Sequence, residues 1–267
     1  MMKKLILGLI IYGAVIFIAC HKNAVTGKRS LNLVPEGELM QMSETEYRKF
    51  LSEHPPLPES DSRVQMVRGC GVRIQKAVEK YYADKGLSNE LNGFSWEFNV
   101  VNEETINAWC MPGGKVVFYT GILPVTKDDG GLSVVMGHEV AHAIARHGNQ
   151  RMSQGLLVQF GGAMLSVALS QKPQLTQQIF LQSFGIGSQL GMLSYSRKHE
   201  TEADKMGLIF AAMAGYDPEA AISFWQRMAD LGGQKPPEML STHPSDERRI
   251  NDLKAFMPEA KKYFRPQ

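Results

Sequence analysis

The sequence has few cysteines and no excess of charge of either sign. Three cysteines in 267 residues exclude a small disulfide framework and a four-cysteine zinc ribbon. Lys and Arg number 29 against 27 Asp and Glu, a net charge of +2. Such a balanced surface excludes a protein that binds nucleic acid by neutralising phosphates. The hydrophobic fraction of 43% excludes wholesale disorder and favours one large globular domain or two small ones.

Long apolar runs are also scarce, and the longest follows Lys3 and Lys4 at residues 5–19. A basic start before a short apolar run is typical of a signal peptide, and the run is too short to span about 30 Å of hydrocarbon. Residues 17–20 resemble a bacterial lipobox, with Phe17 in place of the usual Leu. We therefore expect residues 1–19 to be a signal peptide and Cys20 to carry a lipid. A plain signal peptide and an uncleaved anchor are the alternatives.

The rest of the chain has a mostly helical pattern. Residues 20–60 are polar and predict a lipid-anchored tether with one short helix near 36–52, followed by a single domain at 61–267. Apolar periodicity predicts helices at 61–85, 131–150, 197–214 and 218–231, strands at 94–100 and 116–120, and a last helix that begins within 242–249. The predicted class is α+β, with a small sheet among many helices.

The string HEVAH at 138–142 predicts a metal site. His138 and His142 are four residues apart, so on a helix both imidazoles lie on one face, where they can bind one Zn²⁺. Glu139 is offset by one residue, the position from which a general base can take a proton from water. Helical periodicity around the motif favours this interpretation over two histidines that only fill the core.

A catalytic zinc site needs a third protein ligand, and no histidine follows at the spacing HExxHxxGxxH. Glu200 and Asp204 are also four residues apart on a predicted helix, so their carboxylates share one face. One of them can bind the metal while the other holds the second ring nitrogen of a ligand histidine. Without HEVAH the same pair would more often be a solvated acidic face.

HEVAH followed by SRKHETEAD resembles peptidase family M48, which includes the CAAX prenyl proteases, and within it an exported lipoprotein branch. Four further strings resemble the family in order: 25–35, 107–123, 214–218 and 242–249. The resemblance implies a zincin-like domain with a small sheet beside the HExxH helix and one Zn²⁺ per chain. It implies His138, His142 and Glu200 as zinc ligands, Glu139 as the base and Asp204 as the partner of a ligand histidine.

Two further parts of the site are expected around this centre. Asn107 and Ala108 precede the turn Pro112-Gly113-Gly114, which leads into a short strand whose outer edge could add a substrate peptide. A simple hairpin turn is the alternative. The resemblance also places His243 beside the metal, as a donor for the oxyanion of the reaction or as an extra ligand that holds the site shut. A local role at the start of a helix is the third possibility.

Residues 152–196 form an insert whose only charged residue between Arg151 and Arg197 is Lys172. An amphipathic helical pair that covers the cleft is the preferred interpretation. A membrane-spanning segment is the alternative. It is less favoured, because the apolar run is long enough to span a membrane only if its glutamines are counted. Cys70 and Cys110 could form a disulfide in an oxidising compartment or remain separate thiols. His147 is expected to pack at a helix end rather than to bind metal.

These features together predict a zinc-dependent endopeptidase that cleaves misfolded or misassembled cell-envelope proteins. We expect it on the bacterial cell envelope, periplasm-facing, lipid-anchored and at the outer membrane, with no nucleic-acid partner. The alternative is a chaperone or assembly factor that holds such proteins and rarely cleaves them. The sequence does not predict an oligomeric state.

Overall fold

The computed structural model describes residues 20–160, 173–184, 196–231, 243 and 247–266. Its strands are β1 (Cys20–Lys22), β2 (Arg29–Leu31), β3 (Glu97–Val101), β4 (Ala108–Met111) and β5 (Lys115–Tyr119). Its α-helices are α1 (Glu36–Glu53), α2 (Ser62–Asp84), α3 (Leu123–Thr126), α4 (Asp129–Ile144), α5 (His147–Phe160), α6 (Pro173–Phe184), α7 (Arg197–Met213), α8 (Ala220–Asp230) and α9 (Glu247–Lys261). The predicted class, mostly helical α+β with a small sheet, is confirmed.

The main sheet has three strands in the order β3-β5-β4. β5 pairs with β3 in parallel and with β4 antiparallel, so β5 is the central strand. The prediction that the strand after Pro112-Gly113-Gly114 has an outer edge for a substrate is therefore wrong. Those three residues turn the chain from β4 into β5, with Gly113 and Gly114 both at a φ of 82°. The two edge strands of this sheet are β3 and β4.

Side chains of β4 alternate between two apolar clusters, as the period of a strand requires. Ala108 and Cys110 face the larger cluster, which α2, α4, α7 and α8 build. Trp109 and Met111 face the smaller cluster, which α1, α5 and α6 build. The sheet is therefore covered by helices on both faces, and α4 lies against the face that carries Ala108 and Cys110.

The segment expected to be a tether is part of the folded body. Leu39, Tyr47 and Phe50 of α1 are buried against the sheet, and the Ser43 hydroxyl donates to the Pro112 carbonyl at 2.7 Å. Helix α1 occurs where a helix was predicted, but its apolar face is too large to be left in solvent. The signal peptide expected at 1–19 lies outside the described residues.

The predicted helix at 131–150 is two helices. α4 ends at Ile144, Arg146 takes a left-handed φ of 58°, and α5 begins at His147. An arginine there is strained, and its side chain is held by Glu36 and Glu90 at 3.4 Å and 3.2 Å. The break directs α5 away from α4. It depends on contacts between distant parts of the chain, so the local sequence does not predict it.

The low-charge insert contributes most of α5 and all of α6, which pack together and against the smaller apolar cluster beside β4. Residues 161–172 and 185–195 of the insert lie outside the described residues. Among the helices that the structure describes, none combines the length and apolar character needed to cross a membrane. Cys70 and Cys110 are separate, buried free thiols, so no disulfide joins them.

Candidate metal centre

Helices α4 and α7 carry the predicted ligands and cross at a pair of glycines. The N-terminus of α4 is capped by Asp128, which accepts from the Gly131 amide at 2.8 Å. A Cβ on Gly137 would lie 2.7 Å from the carbonyl oxygen of Gly207, and a Cβ on Gly207 would lie 2.8 Å from the backbone of α4. Only glycine permits this approach, which brings His138 and His142 next to Glu200.

Four buried side chains place one donor atom each within a small volume: His138, His142, Glu200 and His243. The His138 Nε2 atom lies 3.1 Å from His142 Nε2 and 3.1 Å from His243 Nδ1. Glu200 oxygens lie 3.5 Å from His138 Nε2, 3.4 Å from His142 Nε2 and 3.1 Å from His243 Nδ1. Donors about 2.0–2.1 Å from a tetrahedral zinc lie about 3.3 Å from one another. The donor group therefore fits one zinc ion.

Asp204 lies where the outer partner of a ligand histidine is expected. Its Oδ1 atom is 2.9 Å from Nδ1 of His138, which fixes the ring with Nε2 turned toward the donor group. Although burial opposes it, Arg249 and His138 hold the pKa of Asp204 below its usual range. The acid is therefore a carboxylate that orients His138.

Arg249 is a site residue that the sequence analysis missed. It donates to Glu200 at 2.9 Å and to Asp204 at 2.7 Å, and its guanidinium lies 3.3 Å from the centroid of the Trp225 ring. Burial disfavours the charged form of Glu200, but His243 and Arg249 outweigh it and hold the pKa of Glu200 well below its usual range. The sequence held one indication that Arg249 is buried. It precedes Leu253 by four residues, so on a helix the two side chains share one face, and Leu253 is buried.

Glu139 projects from α4 into the same buried volume. Among the described residues its Oε1 atom has no hydrogen-bond partner, and it lies 3.6 Å from Nε2 of His243. Burial raises the pKa of Glu139. A buried carboxylate with an unsatisfied oxygen and a raised pKa has the properties of a general base that needs a water molecule as its partner.

The edge strand β4 packs against α4, the helix that carries Glu139. Asn107 accepts from the Tyr119 amide at 3.1 Å, so the backbones of residues 107, 109 and 111 face β5, and those of Ala108 and Cys110 face outward. In the described part of the chain no strand pairs with that outer edge. The Asn107 side chain accepts from the Ala108 amide at 2.9 Å. Asn107 and Ala108 thus lie on, or directly before, the edge strand that packs against α4, and Pro112, Gly113 and Gly114 form the turn that follows it.

The site is closed in this structure. Glu139, Glu200 and His243 are each at most 4% exposed, and Ala108 and Cys110 on the edge strand are also buried. His243 supplies the fourth donor, the position that a catalytic zinc site leaves for water or substrate. Of the two active-site roles predicted for His243, this arrangement matches the extra ligand.

Comparisons with known proteins match this geometry. Peptidase family M48 matches residues 72–257. The mitochondrial metalloendopeptidase OMA1 of Schizosaccharomyces pombe is 32% identical over 259 residues, 96% of this chain and 72% of that protein. The human metalloendopeptidase OMA1, mitochondrial, is 34% identical over 272 residues, 97% of this chain and 51% of its own length. The beta-barrel assembly-enhancing protease of Escherichia coli is 26% identical over 223 residues, 82% of this chain and 43% of its own length.

The chain therefore spans about half the length of the human relative and less of the bacterial one. The expected location on the bacterial cell envelope is wrong, because the relatives of higher identity are named mitochondrial. That location rested on the lipobox resemblance, and a short apolar leader with a cysteine is a weak signal of where a protein resides. The predicted enzyme class and cofactor are confirmed: the family and the donor group identify a metalloendopeptidase that uses zinc. The chain belongs to peptidase family M48.

Proposed function

We propose that this metalloendopeptidase cleaves misfolded or misassembled membrane proteins. The observation that carries the proposal is an edge strand that packs against α4, the helix that carries His138, Glu139 and His142, because backbone pairing selects an extended chain rather than a particular sequence. Unfolded segments are extended and expose their backbone, whereas folded proteins do not. The name of the Escherichia coli relative, a beta-barrel assembly-enhancing protease, supports a substrate among misassembled proteins.

In this proposal His138, His142 and Glu200 hold the zinc, and Asp204 and Arg249 fix the ligands. Zinc held there would polarise the scissile carbonyl and acidify a water molecule. Glu139 takes the proton of the attacking water and delivers it to the leaving amine. The raised pKa of Glu139 suits this role, since a base with a higher pKa binds the proton more readily.

The substrate would lie along β4, with its backbone paired to the outward groups of Ala108 and Cys110. Asn107 ends this stretch, and the turn at Pro112, Gly113 and Gly114 keeps β4 in register with β5. The edge is buried in the closed structure, so a substrate has to displace its cover. The helical pair α5 and α6, which packs beside β4, is the proposed cover.

His243 is proposed to close the resting enzyme from the fourth donor position. In the closed site the Nε2 atom of His243 also lies 3.6 Å from Glu139. The alternative active-site role is a donor to the oxyanion of the reaction.

Membrane attachment through residues 1–20 also remains a proposal. A lipid on Cys20 and an uncleaved apolar run at 5–19 are the two forms of this anchor, and a plain signal peptide would provide neither. Either anchor would hold the enzyme close to membrane proteins that fail to assemble.

The alternative function is a chaperone that binds unfolded chains without cleaving them. Glu139→Gln separates the two, because it removes the base and keeps the volume of the side chain. We expect purified protein to contain one zinc per chain and to cleave casein, with cleavage lost on chelation and in Glu139→Gln at unchanged zinc content. If Glu139→Gln still protects unfolded proteins and still complements a deletion strain, the chaperone function is the correct one.

A further inference from the structure

The two ligand histidines have different outer partners. His138 turns its Nδ1 atom toward a carboxylate, Asp204. His142 turns its Nδ1 atom toward another imidazole, and the two Nδ1 atoms of His142 and His147 lie 3.0 Å apart. His147 is fully buried at the start of α5. Its position depends on the break between α4 and α5, which folds the ring back against the donor group.

The direction of this hydrogen bond follows from the donor group. The Nε2 atom of His142 belongs to that group, so a neutral His142 that binds metal through Nε2 carries its proton on Nδ1. That N–H donates to Nδ1 of His147, which must accept. The proton of a neutral His147 then lies on Nε2, which is 3.6 Å from an Oε2 atom of Glu202.

Glu202 is held in turn by the segment that follows β1. The Thr26 hydroxyl donates to Oε1 of Glu202, and the Lys28 ammonium donates to Oε2 at 2.9 Å. Asn23 fixes this turn, because its side chain accepts from the amides of Val25 and Thr26 at 2.8 Å and 3.1 Å. A series of polar contacts therefore links the turn at 23–28 to His142, and its longest step is the 3.6 Å between His147 and Glu202.

We propose that His147 is a positioning residue that orients the zinc ligand His142, and that Glu202, held by Thr26 and Lys28, fixes His147. The turn at 23–28 thus supports one face of the metal site, as Asp204 and Arg249 support the other. This inference rests on the proposed role of His142 as a ligand, but on no particular substrate. It predicts that residues distant from the metal set the affinity for zinc.

The test measures zinc affinity by competition with a chelator and the visible absorption of the Co²⁺-substituted protein. Loss of an outer partner of a metal ligand typically lowers metal affinity about 10–100-fold. We expect His147→Leu to lower zinc affinity by about that factor and to change the Co²⁺ spectrum, because the His142 ring is free to turn. His147→Asn places an amide oxygen near the former Nδ1 position and should restore much of the affinity.

Two further variants separate positioning from stability. Thr26→Val combined with Lys28→Met leaves the histidines untouched and should still lower zinc affinity several-fold. His54→Leu is the matched control, since His54 pairs with Glu103 outside the site and its loss should leave zinc affinity and the Co²⁺ spectrum unchanged.

If His147 only packs at a helix end, His147→Leu will lower the melting temperature while zinc affinity and the Co²⁺ spectrum stay as in the parent, and the inference is overturned. It is also overturned if His147→Asn binds zinc no better than His147→Leu. His142→Ala tests the underlying assignment: if that variant binds zinc normally, His142 is not a ligand and the proposed site itself fails. If His142→Ala loses zinc and His147→Leu does not, only the role of His147 fails.

Discussion

At the scale of single residues, the donor group concentrates charge in a volume closed to solvent. Two carboxylates, Glu200 and Asp204, face one arginine and the ligand histidines. Burial alone would lower the pKa of His138, but Asp204 and Glu200 outweigh it and raise the pKa to about 9. The metal-free site therefore keeps a proton on His138 at neutral pH, and zinc must displace it.

This proton gives zinc binding a defined pH dependence. Below the pKa of His138 the charged form competes with zinc, so affinity should rise about tenfold per pH unit from pH 7 to about 9 and then level off. Asp204→Asn removes a contact that raises the pKa of His138. The zinc affinity of this variant should therefore level off at a lower pH. Chelator competition across this range checks the slope. An affinity that does not change between about pH 7 and 8.5 would show that His138 is already neutral.

Ligand removal is the second test at this scale. His138→Ala and Glu200→Ala should each abolish stoichiometric zinc binding, because each leaves two of the three proposed ligands and His243 is the one further donor of the group. Asp204→Ala should be milder, about 10–100-fold in affinity or activity, since it only orients a ligand. Metal content of the purified variants decides this. Full zinc affinity in Glu200→Ala would mean that another residue is the third ligand.

His243 supports a third prediction. As the fourth donor it should both strengthen zinc binding and block the substrate, so His243→Phe should lower zinc affinity and raise the cleavage of a short unfolded peptide. Peptidase assays at equal zinc loading measure this. A loss of kcat of about 100–1,000-fold with zinc affinity unchanged would instead identify an oxyanion donor. No change in either quantity would remove His243 from the site.

Sequence spacing predicts the residues that share one helix face and misses those that meet through the fold. His138, Glu139 and His142 follow from the period of a helix, and Glu200 and Asp204 form a second pair with the same spacing. Arg249 and His147 were not assigned to the site, because an arginine in a polar string and a histidine at a helix end are usually exposed or structural. Their contacts depend on the crossing of α7 with α9 and on the break before α5.

At the scale of elements, the crossing of α4 and α7 sets the distance between the two ligand pairs. Gly137→Ala would place a methyl group 2.7 Å from the Gly207 carbonyl oxygen, so the helices must separate. We expect this to lower the free energy of unfolding by about 1–3 kcal/mol and to weaken zinc binding. Urea unfolding and zinc titration measure the two effects.

Gly69→Ala in α2 is the matched control, because a Cβ there meets nothing within 4 Å. It should raise the free energy of unfolding by about 0.4–1 kcal/mol, since alanine restricts the unfolded chain. If Gly137→Ala is as stable as Gly69→Ala, the close crossing is not required.

Elements were easier to predict than their arrangement. Helices α1, α2, α7 and α8 lie within a few residues of their predicted ranges, because their apolar residues repeat at the helical period. The order of the strands was not predictable from the turn at 112–114, because a hairpin turn does not show which of its two strands is central. Because the strand order is β3-β5-β4, the edge strand that packs against the helix of Glu139 is β4 and not β5.

At the scale of the whole molecule, the N-terminal segment is both part of the folded body and the end of the proposed membrane anchor. β1 begins at Cys20, and the turn that follows reaches Glu202 through Thr26 and Lys28. A lipid on Cys20 would therefore be attached within a few residues of contacts that lead to the metal site. The polar composition of 20–60 did not reveal this, because its buried residues are few and spread along α1.

The last prediction tests how the chain is held at a membrane. If a lipid on Cys20 is the anchor, Cys20→Ser should release the protein from the membrane fraction and block signal removal at that site. If the apolar run is an uncleaved anchor, Cys20→Ser should stay in the membrane fraction at full length, and deletion of 5–19 should release it. Ser30→Ala is a control outside the leader. Membrane association of the deletion variant would point to the insert at 152–196 instead, and the proposed anchor would then be wrong.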